Sequence, residues 1–290
     1  MPKVNIILDA TMLDTFLSCP AKYNYRFRKL KVTTTKAKPL DRGSLVHMGE
    51  EGYWKGLATG KNFDERIKLA VNEMHLASID SDMDADEVSR TIDVTIESMK
   101  HWRNEDEEFR VKAVEEPFVY LLYEDDNICI YMMGKIDLLA DFRNYSDLVM
   151  DHKSYERDFP LKRTANQFSN YVNAIGSNYL LVNRVGFQKS LTPPNKHKRI
   201  MLTYDPAFLE QWKNNVVSII KNEYLRCTAE NNWPMNFTSC DKFNRLCEYH
   251  DVCDTSGEAN KEYKLNMHFA DGEIWDVSAL LSGSKKKKDE

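Results

Sequence analysis

The sequence predicts an α/β fold, in which strands near the middle of the chain are accompanied by helices. From Val111 the apolar residues recur with a period of two, as they do in strands. Before that point, and again after residue 164, apolar residues recur at spacings of three and four, which is typical of amphipathic helices. At 290 residues and 42% hydrophobic content, the chain suffices for one large domain or two small ones.

The first 110 residues are predicted to be mainly helical. Helices are expected over residues 10–30, 43–57, 61–77 and 88–109. Pro20 suits the first turn of a second helix after a break at Cys19. Residues 31–42 are predicted to form a loop, and residues 78–87 a polar break.

Strands and helices alternate in the rest of the chain. Strands are predicted over residues 111–123, 128–141, 148–154 and 198–204, and helices over Thr164–Val185 and Pro206–Glu230. Residues 231–254 are expected to be irregular, 262–277 weakly structured, and the terminal SGSKKKKDE flexible. We interpret the chain as one folded unit in four stretches: a helical part (1–110), a core (111–230), a cysteine-rich clip (231–260) and a tail (261–290).

Charge and hydropathy exclude some classes of protein. The net charge of −5 argues against a general nucleic-acid coat protein, but it leaves a nuclease open because local charge matters more. No stretch is as long and apolar as a transmembrane helix. The short apolar run at the N-terminus carries Asp9 and Asp14, unlike a signal peptide. We therefore expect a cytoplasmic protein with reduced thiols and no membrane partner.

A basic segment lies between Pro20 and Leu40. It contains seven basic residues and no acidic one, interleaved with Tyr23, Tyr25 and Phe27. Such a mixture can follow a phosphate backbone and stack on bases. The nucleic-acid contacts that we expect are Tyr23, Arg26, Arg28 and Lys29. The alternative is a solvated helix face that continues into a loop.

The candidate chemistry lies in Tyr131–Ser154. Asp137 ends GKID and Asp151 begins DHKS, and Lys153 follows two residues later, so it points to the same side of its strand as Asp151. Such acids are poor core residues but good ligands for Mg²⁺, with the His152 carbonyl as a further oxygen. Lys153 can orient a water or stabilise negative charge at a phosphate. Singly, each acid is more commonly a turn residue.

Three residues outside this segment extend the set. His47, on a preceding helix, can reach a metal ion. Gln167 and Tyr171 are four residues apart on the following helix and therefore share a face. Each of them alone is more commonly structural, and it is their order along the chain that distinguishes the pattern.

This order resembles the PD-(D/E)XK nuclease superfamily, in its RecB-like branch. The matching pieces are GSLVH, GKID, DHKS and QFSNY, within about residues 10–255. The resemblance implies a restriction-endonuclease-like core, with a mixed central sheet flanked by helices and a helical N-terminal elaboration. Asp151 is a departure, because glutamate is commoner at that position.

The resemblance also implies roles for the residues. The metal ligands would be His47, Asp137, Asp151 and the His152 carbonyl, with Lys153 catalytic and Gln167 and Tyr171 in support. Glu116, on the preceding strand, is a lesser candidate for a place near the metal.

The six cysteines fall into two groups. Cys129 and Cys227 are expected to be small buried hydrophobes. The others, Cys19, Cys240, Cys247 and Cys253, bracket the core, and four thiolates can hold a [4Fe–4S] cluster. One cysteine before the core and three after it resembles the AddB-type and CRISPR-associated iron–sulfur exonucleases, although the spacing of Cys240 and Cys247 is wider than usual.

Two alternatives to the cluster stay open. Zinc could be held by three of the thiols and a histidine: Cys240, Cys247, His250 and Cys253. The four thiols could also be unrelated. In either metal case we expect a structural role.

The favoured function is a Mg²⁺- or Mn²⁺-dependent single-stranded DNA exonuclease of bacterial or phage origin. The alternatives are a structure-selective endonuclease and a DNA-binding or assembly subunit with an idle site. The sequence has no GxxxxGK[ST] phosphate loop, so unwinding would require a helicase or recombination partner.

Overall fold

The computed structural model describes residues 3–34, 38–79, 81–158, 160–242 and 245–273. The strands are β1 Val4–Leu8, β2 Lys31–Val32, β3 Phe109–Glu124, β4 Ile128–Phe142, β5 Tyr145–Tyr155, β6 Tyr179–Gly186, β7 Lys198–Thr203, β8 Asp241–Lys242, β9 Arg245–Leu246 and β10 Ala270–Asp271. The α-helices are α1 Ala10–Ser18, α2 Pro20–Tyr23, α3 Lys38–Ala58, α4 Phe63–Ser78, α5 Ala85–Asp106, α6 Asn166–Ile175, α7 Pro193–Lys196, α8 Pro206–Ile219, α9 Leu225–Ala229, α10 His250–Cys253 and α11 Glu258–His268. Turns of π-helix lie at Asn24–Arg28 and Ile220–Tyr224.

The central sheet is mixed. Its strand order is β1-β4-β5-β6-β7, and β3 pairs with β4. Strand β4 runs parallel to β1 and antiparallel to β5, whereas β6 runs parallel to β5 and antiparallel to β7. Helices α3, α5 and α6 contact these strands. The predicted α/β fold, with a mixed central sheet flanked by helices, is thereby confirmed.

Contacts divide the chain into two compact units. Unit 1 contains the described residues within Met1–Thr35, Val119–Met133 and Glu210–Glu290. Unit 2 contains those within Lys36–Phe118 and Gly134–Leu209. Because β3 and β4 contribute to both, the units do not follow chain order, and the division into four stretches stays a prediction.

Unit 1 has its main core around β1 and the first part of β4. Leu8 of β1 pairs with Met132. Helix α1 begins after Asp9, whose side chain accepts a 2.7 Å hydrogen bond from the Met12 peptide N–H. Buried members of this core include Leu13, Phe16, Tyr23, Ile130, Trp212, Val216 and Ile220. Strand β1 has no counterpart among the predicted strands, because a run of five residues carries little periodicity.

Unit 2 has separate cores on the two faces of β5 and β6. Met150 and Leu181 belong to a core that includes residues of α3, α4 and α5, whereas Val149 and Val182 belong to a core that includes residues of α6. Helix α4 begins at a capping box in which Asn62 and Glu65 bond each other's peptide N–H groups. The sheet is thus covered on both faces here.

The predicted helix over Thr164–Val185 is wrong in its second half. Helix α6 ends at Ile175, where Gly176 takes a φ of 72° that glycine adopts without strain. Residues Tyr179–Gly186 then form β6, the parallel partner of β5. Strands buried on both faces lack apolar–polar alternation, so their sequences do not reveal a period of two.

Three other segments also differ from prediction. Helix α3 begins at Lys38, inside the predicted loop. Helix α11 and strand β10 occupy residues expected to be a weakly structured part of the tail. Residues 274–290, which contain the lysine-rich end, lie outside the described residues. By contrast, the predicted start of a helix at Pro20 is confirmed. None of the described helices is long and apolar enough to span a membrane.

Candidate functional site

Two buried carboxylates lie on neighbouring strands of unit 2. The antiparallel ladder pairs Leu138 with Met150, so Asp137 and Asp151 are the next positions along it and share a face. Burial raises the pKa of Asp137 to about 7 and that of Asp151 to about 6. Desolvation disfavours the charged forms, and a bound cation would reverse this.

One oxygen of these acids has no partner. Asp137 Oδ2 accepts a hydrogen bond from the His152 peptide N–H at 2.8 Å, and Asp151 Oδ1 accepts one from Lys153 Nζ at 2.8 Å. Asp151 Oδ2 is buried and has no hydrogen-bond partner among the residues that the structure describes. An unsatisfied buried oxygen costs free energy, and a metal ion would remove that cost.

Lys153 is held by a chain of side chains from α6. Its Nζ also donates to Gln167 Oε1 at 3.1 Å. Gln167 Nε2 in turn donates to the Tyr171 hydroxyl at 2.8 Å. Burial raises the pKa of Tyr171 well above its ordinary value, so the phenol stays protonated. Gln167 therefore contacts the lysine directly, and Tyr171 is linked to it through Gln167.

His47 and one glutamate complete a candidate metal site. The ligand atoms of His47, Glu115 and Asp137 all lie within 4.8 Å of one another, with His47 Nδ1 3.3 Å from Asp137 Oδ2. Burial lowers the pKa of His47, which favours the neutral imidazole that binds metals. Nitrogen and carboxylate ligands of this kind fit a divalent cation.

The glutamate in this group is Glu115, whereas Glu116 was predicted from the sequence. Glu115 has a φ of 53°, in the left-handed region, and it forms an ion pair with Lys135. Glu116 is exposed. A left-handed residue within a strand interrupts the alternation of faces, as in a β-bulge. The sequence EE indicated an acidic residue at this point of the strand. The alternation of side chains along a regular strand could not show which of the two glutamates points toward the site.

A buried polar network lies behind DHKS. His152 was predicted to contribute its carbonyl, and the structure shows that its peptide N–H donates a hydrogen bond and that its ring accepts one. His152 Nδ1 lies 3.0 Å from Asn183 Nδ2, and Asn183 Nδ2 donates to Glu50 Oε1 at 3.2 Å. Glu50 also accepts from Trp54 Nε1 at 3.0 Å. These bonds tie the helix that carries His47 to the strand that carries Asp151.

The glycine of GKID allows a close approach. A Cβ atom at Gly134 would lie 2.6 Å from the ring of Phe118 on β3. That ring also packs edge-on against Tyr171 at a centroid distance of 6.0 Å. Any larger residue at this position would require the Phe118 ring to shift.

The four outer cysteines all lie in unit 1. Cys19 is buried and Cys240, Cys247 and Cys253 are half-buried. Three of them pack with a small core that includes Tyr25, Tyr249, Val252 and Leu265. Burial raises the pKa of Cys253 to about 11, and the neighbouring Cys19, Cys247 and Cys240 add to the effect. A bound cation would offset the repulsion between these thiols in their ionised forms.

Two hydrogen bonds point at these sulfurs. The Asn236 peptide N–H donates to Cys19 Sγ at 3.4 Å, and the Tyr25 hydroxyl bonds the Cys253 thiol. In the described part of the chain, these thiols form no group of three within 4.8 Å, and His250 joins none. Four zinc ligands at about 2.3 Å in a tetrahedron would lie about 3.8 Å apart. The described thiols are therefore not gathered at the spacing of a zinc site.

Two aromatic rings of the basic segment are too buried to form a stacking surface. Tyr23 is 4% exposed and Tyr25 is 8% exposed, so neither ring is available to a base, contrary to the expectation for Tyr23. The Arg28 guanidinium lies 4.6 Å from the centre of the Trp233 ring, and Lys29 pairs with Glu262 at 2.5 Å. The Arg26 guanidinium lies 5.2 Å from the Phe27 ring centre.

Comparisons with known proteins bear on the family and the fold. The model of the PD-(D/E)XK nuclease superfamily matches residues 8–254. No curated protein matches the chain. A solved structure of a candidate exonuclease from Eubacterium rectale is 12% identical, with a TM-score of 0.50, and covers 83% of this chain and 89% of its own. The alkaline exonuclease LHK-Exo from Laribacter hongkongensis is 10% identical, with a TM-score of 0.31 and coverages of 64% and 95%.

Proposed function

The chain belongs to the PD-(D/E)XK nuclease superfamily, and from this premise we propose that it is a divalent-metal-dependent deoxyribonuclease that degrades single-stranded DNA from its ends. The observation that carries the proposal is the group of His47, Glu115 and Asp137, beside the unpartnered Oδ2 of Asp151. Mg²⁺ or Mn²⁺ is the expected ion, because carboxylates dominate the ligands.

The residues of the site have two roles, metal binding and stabilisation of charge at the phosphate. His47, Glu115, Asp137 and Asp151 would hold the metal. When bound, the metal supplies positive charge at the phosphate and lowers the pKa of a coordinated water. Lys153 is placed by Asp151 and Gln167 to orient the attacking water and to stabilise the negative charge that grows on the phosphate.

The preference for single-stranded ends rests on the cysteines. One cysteine before the core and three after it resembles the iron–sulfur exonucleases, and the fold is that of the candidate exonuclease from E. rectale. Arg26, Arg28 and Lys29 would contact phosphates, whereas stacking by Tyr23 is not part of the proposal because its ring is buried.

For the thiols, a structural [4Fe–4S] cluster held by Cys19, Cys240, Cys247 and Cys253 is the group that we propose. The hydrogen bonds from Asn236 and Tyr25 would stabilise thiolate sulfurs, as donors around clusters do. Anaerobically purified protein should be brown and contain about four irons per chain. Colourless protein with one zinc per chain would favour the zinc alternative.

The decisive experiment uses labelled linear and circular single strands with Mg²⁺ or Mn²⁺. The proposal predicts that the linear strand is degraded and the circle is spared. A cut circle would indicate an endonuclease. Retarded but uncut strands, with either metal, would indicate a binding or assembly subunit. EDTA should abolish cleavage, because the buried carboxylates need the ion.

A further inference from the structure

A second group of charges lies on the face of the sheet that carries Lys153. The parallel ladder pairs Lys153 with Arg184, and the antiparallel ladder pairs Arg184 with Lys198. Paired residues point to the same face, and adjacent strands lie about 4.8 Å apart. A row of three cations therefore crosses β5, β6 and β7, beginning at the predicted catalytic lysine.

One carboxylate binds the second and third cations of this row, Arg184 and Lys198. Arg184 Nη1 donates to Asp158 Oδ1 at 2.8 Å, and Lys198 Nζ donates to Asp158 Oδ2 at 2.6 Å. The arginine side chain is 2% exposed, whereas that of Asp158 is 54% exposed. The acid is thus the most exposed member of the group.

The guanidinium of Arg184 is held in one orientation. It lies 4.0 Å from the centre of the Tyr155 ring, which restricts its orientation. Tyr155 is itself fixed by a bond from its hydroxyl to the Lys196 carbonyl at 2.5 Å. A guanidinium held in this way, beside a lysine, suits phosphate oxygens as well as it suits a carboxylate.

We propose that Arg184 and Lys198 bind a backbone phosphate of the nucleic acid strand, next to the phosphate at Lys153, and that Asp158 occupies this site until the strand displaces it. The inference rests on the proposed function. It adds a binding site for a non-reacting phosphate, and it assigns Asp158 the role of a competitor that limits affinity.

The chain contains a matched control pair. Asp147 pairs with Lys112 at 2.7 Å, and the two side chains are 51% and 32% exposed. For Asp158 and Lys198 the corresponding values are 54% and 37%. Both pairs lie in unit 2, but Asp147 is in the first part of β5, away from Lys153, and its φ of 53° suits asparagine as well as aspartate.

The test measures the affinity for a labelled single-stranded oligonucleotide in EDTA, over a range of salt concentrations. Asp158→Asn should bind about three- to fivefold more tightly, the scale of an exposed ion pair released. Asp147→Asn should bind as the unmodified protein does. Lys198→Gln should lower the slope of log affinity against log salt by about 0.7, as loss of one phosphate contact does on single strands, and Lys112→Gln should not.

The other outcomes overturn the inference. Equal tightening by both aspartate variants would show a general charge effect. Unchanged or weaker binding by Asp158→Asn would show that the acid only anchors the segment after β5. If the unmodified protein cleaves strands and the variants give either of these results, only this inference is refuted. If the unmodified protein neither binds nor cleaves strands, the proposed function is refuted as well.

Discussion

The acid site of unit 2 and the thiol group of unit 1 gather ionisable side chains in different ways. The acids project from neighbouring positions of one ladder, and peptide and lysine donors orient them. The thiols come from short elements: Cys19 precedes α2, Cys247 follows β9, and Cys253 ends α10. The sheet holds the first site in place, whereas little regular structure holds the second.

The apolar core around the acid site is also more extensive than the core around the thiols. Strands β5 and β6 are covered on both faces by apolar clusters. The thiols share a small core in which Tyr25, Tyr249 and Leu265 are among the buried members. A small core stabilises weakly, and small domains commonly depend on metals or cross-links for this reason. We therefore expect a bound group to organise the thiols, and the sheet to organise the acids without one.

The largest expected effect comes from removing one thiol. Cys253→Ser should lose the iron and destabilise the protein, because a cross-link between Cys19 and the C-terminal cysteines closes a very long loop. The chain-entropy treatment of cross-links assigns about 5 kcal/mol to such a closure. Iron content and thermal unfolding measure the effect. Cys129→Ala, at a buried cysteine outside the group, should keep its iron. A Cys253→Ser protein with normal iron content and stability would show that the thiol group, like the acid site, needs no bound group to organise it.

The next effect is catalytic and should leave the fold intact. Lys153→Ala should lower the cleavage rate about 10³-fold, since it removes a cation placed at the reacting phosphate. Strand binding should persist, because the sheet positions the acids without this lysine. Lys112→Ala, an exposed lysine in the same unit, is the control. Full cleavage by Lys153→Ala would remove the lysine from the mechanism.

A third test asks which glutamate belongs to the acid site. Glu115→Gln should weaken Mn²⁺ binding at least about tenfold, as measured by calorimetry, because it removes a charged ligand. Glu116→Gln changes the neighbouring exposed residue and should have no effect. The opposite result would show that Glu116, the residue predicted from the sequence, binds the metal, and that Glu115 does not face the site.

The smallest effect is a dependence on pH. Mn²⁺ binding requires ionised acids, so its affinity should level off above about pH 7 and fall about tenfold per unit between pH 7 and 6, as Asp137 takes up a proton. Below pH 6, where Asp151 takes up a proton as well, it should fall about a hundredfold per unit. Without metal, Asp137 and Asp151 bind more protons in the native state than in the unfolded chain between pH 4 and 7. The contribution of these two acids to the free energy of unfolding should therefore decrease as pH rises through this window. Urea unfolding in EDTA at pH 5 and 8 checks the sign. Asp137→Asn should reduce both effects.

The candidate site residues were accessible to prediction because short motifs carry them. GSLVH, GKID, DHKS and QFSNY each combine a chemical group with a recognisable element, and the structure brings His47, Asp137 and Lys153 to one site. Local signals also predicted the helix start at Pro20 and the strands on either side of EDDN. Such signals act over a few residues, so one sequence displays them.

Tertiary packing decided the rest. Whether Glu115 or Glu116 faces the site depends on one backbone angle in β3, and whether YLLVNRVG is a helix or a strand depends on its burial beside β5. Tyr23 looked like a stacking residue, but Phe16 and Trp233 enclose its ring. Local patterns thus determined the chemistry that the chain carries. The final face and exposure of each side chain came from contacts between residues far apart in sequence, because burial is a property of the whole fold.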